Sequence, residues 1–217
     1  MKNYVVFGCG RFGTAVATTL FELGYEVMAV DIDEEKVQSI ADQVTTAIQC
    51  DVLDEKATDE LGLSNFDVAI VSIGENLEAA IIAVLISKEA GLEEIIAKAP
   101  SERKGEILYR IGATKVLYPE MDMGHRLAYN LANKSILDII QFSDKYSVAE
   151  LRVHKEWVGK TIGALDFRNR FGVTIIAIHR EEDDVRIDPS FDSVLEKNDQ
   201  IIVLGHNDAL AKLEKKK

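Results

Sequence analysis

Positive charge is what this sequence has least of. Its 25 lysines and arginines face 37 aspartates and glutamates, a formal net charge of −12. That balance argues against general binding to nucleic acid and against attachment to an anionic membrane surface. The basic run Lys215-Lys216-Lys217 is short and terminal and reads as a solvated tail. No helix-turn-helix signal opens another route to nucleic acid. Cysteine is scarce as well. Cys9 and Cys50 offer neither a disulfide framework nor metal-ligand spacing, which fits a reducing compartment. His125, His154, His179 and His206 are scattered without ligand spacing, and the single Trp157 reads as packing. Long apolar runs are missing too: nothing reaches the roughly 18 residues of a membrane helix. The most apolar helical stretch, 77–90, carries Glu78, Ser87, Lys88 and Glu89. The opening MKNYVVFG reads as a strand rather than a signal peptide. A cytoplasmic protein with no direct membrane insertion is expected. Repeats, low-complexity tracts and a Pro/Gly-rich linker are also absent.

What is present begins with an apolar strand, Tyr4 to Phe7, followed by Gly8-Cys9-Gly10-Arg11-Phe12-Gly13 and a helical pattern. G-x-G-x-x-G is informative in this context, between a strand and a helix. Gly8 permits the tight turn, Gly10 leaves room for a pyrophosphate, and Gly13 lets the helix approach the strand. The helix N-terminus then offers free N–H groups to phosphate. The next strand, 26–30, ends at Asp31, where a carboxylate suits a ribose with free hydroxyls.

Strand and helix alternate up to about residue 134, with strands at 45–49, 67–71, 94–97 and 115–118. Their continuous apolar runs fit burial on both faces. The expected fold is α/β, a Rossmann-type doubly wound parallel six-stranded sheet of order 3-2-1-4-5-6. Ligands of such sheets sit beyond the strand C-termini, which are Gly8, Asp31, Asp51, Ser72, Lys98 and Glu120. From Tyr146 the rhythm changes to short strands and turns, a small C-terminal α+β domain with a hairpin turn at 181–184. The expected organisation is a nucleotide-binding domain at 1–134, a linker at 135–143 and a second domain at 144–217.

These residues together resemble the RCK (KTN) regulatory proteins of Ktr and Trk potassium transport systems, with the Ktr type favoured. The resemblance rests on GCGRFG, VDIDEEKV, VSIGEN, AKA and YPEMDMG in the first domain. In the second, which matches the RCK C-terminal module, it rests on GKTIGALDFRNRFGVTIIAI and DQIIVLGH. It implies a non-enzymatic regulator that binds ATP or ADP, with NAD or NADH as another occupant of the cleft. Gly8, Gly10 and Gly13 would carry the phosphates, with Phe12 in the same loop. Asp31 would take the ribose, with Ile32 and Asp33 beside it. Asp51 and Val52 would flank the adenine, Ile73 and Gly74 would line the cleft, and Lys98 would lie near. Arg11 matches an arginine that reaches the terminal phosphate of the neighbouring subunit. Glu120 matches a carboxylate that holds a divalent cation, Mg or Ca. Cyclic di-AMP would contact Arg168 in the second domain, lined by Ile175, Ile176, Ala177 and Pro189. The implied partners are a second copy in a homodimer, an octameric ring of such dimers, and a membrane-embedded potassium transporter subunit that holds the protein at the inner face of the cell membrane.

Plainer uses remain open for several of these residues. Arg11 suits a solvated loop, Asp51 a helix start, Glu120 a first-turn acid, and Lys98 a surface position. Arg168 suits a surface pair with Asp166 or Glu156, and Ile175 and Ile176 suit a core. An NAD-dependent oxidoreductase would need a substrate domain larger than about 70 residues and an acid/base pair, and no His–carboxylate or Tyr-x-x-x-Lys pair stands at a credible place. A Trk-type NADH-sensing regulator is the nearer alternative, though such chains often carry two RCK units in tandem.

Overall fold

The computed structural model describes residues 2–132, 136–141, 143, 145–180 and 184–214. The first compact unit spans 1–121 and the second 122–217. Residues 181–183 of the expected hairpin turn and the tail at 215–217 lie outside the described residues.

In the first unit, β1 (Asn3–Phe7), α1 (Arg11–Glu22), β2 (Glu26–Asp31), α2 (Glu34–Ile40), β3 (Thr46–Gln49) and α3 (Glu55–Asp59) alternate. They are followed by β4 (Val68–Val71), α4 (Leu77–Glu89), β5 (Glu94–Lys98), α5 (Glu102–Ile111), β6 (Lys115–Leu117) and α6 (Pro119–Ala132), which runs on into the second unit. The sheet order is β3-β2-β1-β4-β5-β6, and every pairing is parallel, as expected. Alternation along the strands splits the core into two layers. Val5, Phe7, Val30, Val71 and Ile95 pack on one face of the sheet; Val6, Val27, Ala29 and Ile70 pack on the other. Each large side chain buried this way contributes about 1.5–3 kcal/mol. The α5 helix lies close to the segment after β6, because a Cβ on Gly105 would stand 2.1 Å from the Tyr118 hydroxyl.

Most helices of this unit begin with a side-chain cap. Asp33 accepts from the Glu35 amide at 3.0 Å, Asp54 from Lys56 at 3.0 Å, Asn76 from Ala79 at 3.1 Å and Ser101 from Lys104 at 3.5 Å. These open α2, α3, α4 and α5 in turn. The helix start that Asp51 suited from sequence belongs to Asp54; the Asp51 carboxylate accepts from the Leu53 amide at 3.0 Å instead.

The second unit adds β7 (Ile136–Gln141), β8 (Tyr146–Arg152), α7 (Ile162–Leu165), α8 (Phe167–Phe171), β9 (Val173–His179), β10 (Val185–Ile187), β11 (Gln200–His206) and α9 (Asn207–Glu214). Its antiparallel sheet has the order β10-β9-β11-β8-β7. The segment 136–141, expected within a connection, is a strand paired to β8. It follows a helix with only residues 133–135 between, so its apolar content reads as a fading helical pattern in the sequence. Leu165, Phe167, Ile178, Leu195, Ile201 and Leu210 form the core of this unit. Trp157 packs edge-on against Phe167 with 4.9 Å between ring centroids.

Candidate functional site

Parallel pairing brings the C-terminal ends of β1, β2 and β4 level, and backbone bonds stitch the glycine loop to both neighbours. The Gly8 amide donates to the Val30 carbonyl at 2.7 Å, and the Ser72 amide donates to the Phe7 carbonyl at 2.7 Å. Gly8 has φ +96°, a conformation that L side chains rarely adopt. A Cβ on Gly13 would stand 1.9 Å from the Gly8 carbonyl oxygen, so α1 can start here only with glycine at 13. Gly10 differs: its φ is −73°, and a Cβ there would meet nothing within 4 Å. Nothing among the described residues requires a glycine at 10.

Asp31 closes the other side of the loop. Its side chain is 9% exposed. Oδ2 accepts from the Cys9 amide at 2.6 Å and Oδ1 from the Asp33 amide at 2.9 Å. Two charge-assisted bonds therefore fix the carboxylate where β2 ends.

In contrast to α2 through α5, α1 has no side-chain cap; its N-cap position is Gly10. Its first amides and the positive end of its dipole are left to solvent or to an anion. This helix end borders a cleft of about 690 Å³, within the ordinary range for small-molecule sites. Of the residues expected there, Gly8, Gly10, Arg11, Asp31, Ile32, Asp51, Val52, Ile73, Gly74 and Lys98 line it. Phe12, Gly13 and Asp33 do not. Phe12 lies beside the cleft, its ring centroid 6.0 Å from Lys98 Nζ. Gly13 is buried under the loop, and Asp33 is occupied as the α2 cap. Lys36, Glu75 and Asn76 also line the cleft and were not singled out from sequence. Glu75 and Asn76 belong to VSIGEN, whose Asn76 has a cap signal three residues before Ala79.

Lys98 Nζ forms an ion pair with Glu120 Oε1 at 2.5 Å. The hydrogen bond from Lys98 is the main reason the Glu120 carboxyl lies below its ordinary pKa; nearby Arg11 pulls the same way more weakly. Among the described residues, no group of three His, Cys, Asp or Glu side chains is placed to hold a metal ion.

The thiols of Cys9, buried in the glycine loop, and of Cys50, in the cleft, are subdued. Burial, and then the charge of Asp31, push Cys9 up to about 11, and burial is also the main reason Cys50 is raised. The thiolate is the reactive form, and a free thiol titrates near 8.5, so Cys9 is expected to react with iodoacetamide at pH 8 roughly a hundredfold more slowly than free cysteine. Time-resolved alkylation, native against denatured, checks this; native labelling of Cys9 at the rate of the free amino acid would mean that the loop is open in solution.

In the second unit, Arg168 is exposed on α8. Ile175 packs against the core and Ala177 is buried. Between them Ile176 is an extra residue in the pairing with β11, where the register shifts. Its carbonyl accepts from the Asp188 amide at 2.9 Å, which brings the half-buried Pro189 next to this bulge. Among the described residues, no hydrogen bond or ion pair joins Arg168 to Ile176 or Pro189.

Comparison with known proteins agrees with this architecture. Residues 4–119 match the TrkA-N domain family and residues 148–217 the TrkA-C domain family. Ktr system potassium uptake protein C of Bacillus subtilis (strain 168) is 38% identical over 99% of this chain and 97% of its own length. Ktr system potassium uptake protein A of Vibrio alginolyticus is 35% identical over 97% of this chain and 95% of its own. Among solved structures, the GsuK channel superposes with a TM-score of 0.70 at 22% identity, over 99% of this chain and 39% of that one, a likeness of fold. No helix among the described residues is long and apolar enough to cross a membrane. With both domain families matched and end-to-end similarity to the Ktr proteins, this chain belongs to the family of Ktr system potassium uptake proteins.

Proposed function

We propose that the chain is the nucleotide-sensing regulatory subunit of a potassium transport system. One observation carries this: the uncapped N-terminus of α1 opens into a cleft that also holds the cations Arg11 and Lys98 and, beside the glycine loop, the half-buried carboxylate Asp31. The cationic end suits phosphates and the carboxylate suits a ribose. ATP and ADP are the proposed ligands, with Asp51 and Val52 flanking the base and Ile73 and Gly74 beside the phosphates and ribose. Residues 1–134 form the sensing part. The regulated partner is a membrane-embedded potassium transporter subunit, reached from the cytoplasmic side by a ring of homodimers, and binding itself is the output.

A ligand shifts a conformational equilibrium only through different affinities for the two states. ATP and ADP differ by one phosphate, so contacts to that phosphate supply the difference, and Arg11 of a neighbouring copy is the proposed contact. Glu120 alone, already paired to Lys98, does not make a cation site; phosphate oxygens would have to complete one. For the second domain, cyclic di-AMP is the proposed ligand, with Arg168 as its phosphate partner and Ile175, Ile176, Ala177 and Pro189 as its lining residues.

The test is a comparison of ATP, ADP and NADH by calorimetry, with the nucleotide retained on purification identified by mass spectrometry. Arg11→Ala is expected to reduce the preference for ATP over ADP by about five- to tenfold, in line with typical couplings of 1–3 kcal/mol, and to leave ADP affinity nearly intact. Equal losses for both would leave Arg11 a general phosphate contact only. Turnover of NADH with any small substrate would sink the regulatory role.

A further inference from the structure

Lys98 is a cation held close by the fold and paired to a carboxylate that is free to move. The lysine ends β5, and its side chain is 16% exposed. Its partner Glu120, the second residue of α6, is 65% exposed, and the two meet at 2.5 Å. The ammonium also stands at the phosphate end of the cleft. A Cβ on Gly74 would lie 3.7 Å from Nζ, and the ring of Phe12, in the first turn of α1, is centred 6.0 Å away. That first turn is the one without a side-chain cap.

An ammonium this far from water needs an anion beside it, because burial alone disfavours its charge. Glu120 is one such anion, and a phosphate at the α1 amides would be another. The two cannot crowd one ammonium without repelling each other. A pair whose carboxylate is largely exposed adds little to stability, so exchanging that partner costs little. Glu120 can swing into solvent and still stand in the first turn of α6, where the helix dipole favours an acid. A phosphate, with more negative charge than a carboxylate, wins the fixed cation.

We propose that Glu120 and a ligand phosphate are alternative partners of Lys98, so that phosphate binding releases Glu120 and with it the first turn of α6. This regulates the cleft already described and rests on its being a nucleotide site. The released helix runs on into the second unit, where Arg126 and Asn130 bond to Asp138 of β7 at 2.9 and 3.1 Å. One end of α6 therefore answers to the ligand while the other stays attached to the second sheet.

A double-mutant cycle on the full chain, read by ADP calorimetry, tests the exchange. Glu120→Gln is expected to tighten ADP by about two- to fivefold, the worth of one exposed ion pair. Lys98→Met should weaken ADP by roughly tenfold, the loss of a hydrogen bond to a charged phosphate. In the Lys98→Met background the gain from Glu120→Gln should shrink below about twofold. A second measurement follows the Glu120 carboxyl by carbon NMR. Because the Lys98 hydrogen bond is the main reason that carboxyl lies below its ordinary pKa, it should titrate higher with ADP bound. The exchange is overturned if Glu120→Gln leaves ADP affinity unchanged or weakens it, or if its gain is as large without Lys98 as with it. A Glu120 carboxyl that titrates alike with and without ADP also overturns it. In each case ADP binding by the wild type leaves the nucleotide site standing; a wild type that binds no ADP overturns the site itself.

Discussion

Gly13→Ala is expected to destabilise the first unit strongly, whereas Gly10→Ala should leave its stability nearly intact and weaken its hold on the ligand. The substitutions are three residues apart and chemically identical. At 13 the new methyl would sit 1.9 Å from the Gly8 carbonyl oxygen, a backbone atom fixed by the bond from the Gly8 amide to β2. Either α1 lifts off the sheet or the loop opens. Overpacking of this severity costs about 3 kcal/mol or more, which for a chain of this size lowers Tm by roughly 6–12 °C. At 10 the methyl meets nothing within 4 Å, and φ is already in an ordinary region. Its stability cost should stay within about 1 kcal/mol, the modest disadvantage of alanine at an N-cap. The same methyl would occupy the approach to the α1 amides. Losing one hydrogen bond to a charged phosphate there costs about 1.5–3 kcal/mol, or roughly 10–100-fold in affinity. Melting curves and ADP titrations on both variants test the contrast; equal losses of Tm would show that Gly10 is only a turn residue.

The second large effect is expected at Asp31. Asp31→Ala removes the acceptor for the Cys9 amide and the proposed partner of the ribose hydroxyls together. An amide left without an acceptor costs about 1–3 kcal/mol, and loss of the charged ribose contacts should weaken ADP by about 100-fold. Asp31→Asn separates the two roles. Its amide oxygen can still accept from Cys9, so Tm should recover most of the way while ADP affinity stays low. Unchanged ADP affinity in Asp31→Ala would remove the ribose role.

Much of this was legible in the sequence for reasons of backbone geometry. Gly8 and Gly13 answer steric demands that no other residue meets, and strand ends in a parallel sheet are functional positions whatever the sequence between them. The sheet order followed from six alternating units. Charge partners were harder to see. Lys36 stands in DIDEEK, where it looks like part of a solvated helix face; only the turn at Asp33 points it back toward Asp31. Lys98 and Glu120 were each legible as strand ends, but their pairing depends on β5 and β6 being neighbours. The strand at 136–141 was missed because a run such as ILDIIQ after a helix has no turn signal before it and satisfies either period.

The position of β1 in the sheet also governs when the protein can work during its synthesis. β1 precedes both its neighbours in the chain; its β2 edge can pair once residue 31 has been made, but its β4 edge stays open until residue 71 has left the ribosome. The cleft needs Lys98 as well, and no earlier fragment holds the complete site. A nascent chain therefore displays one open edge of the apolar strand 3–7 until β4 has been made. Chaperones that recognise short extended apolar segments have their clearest target there.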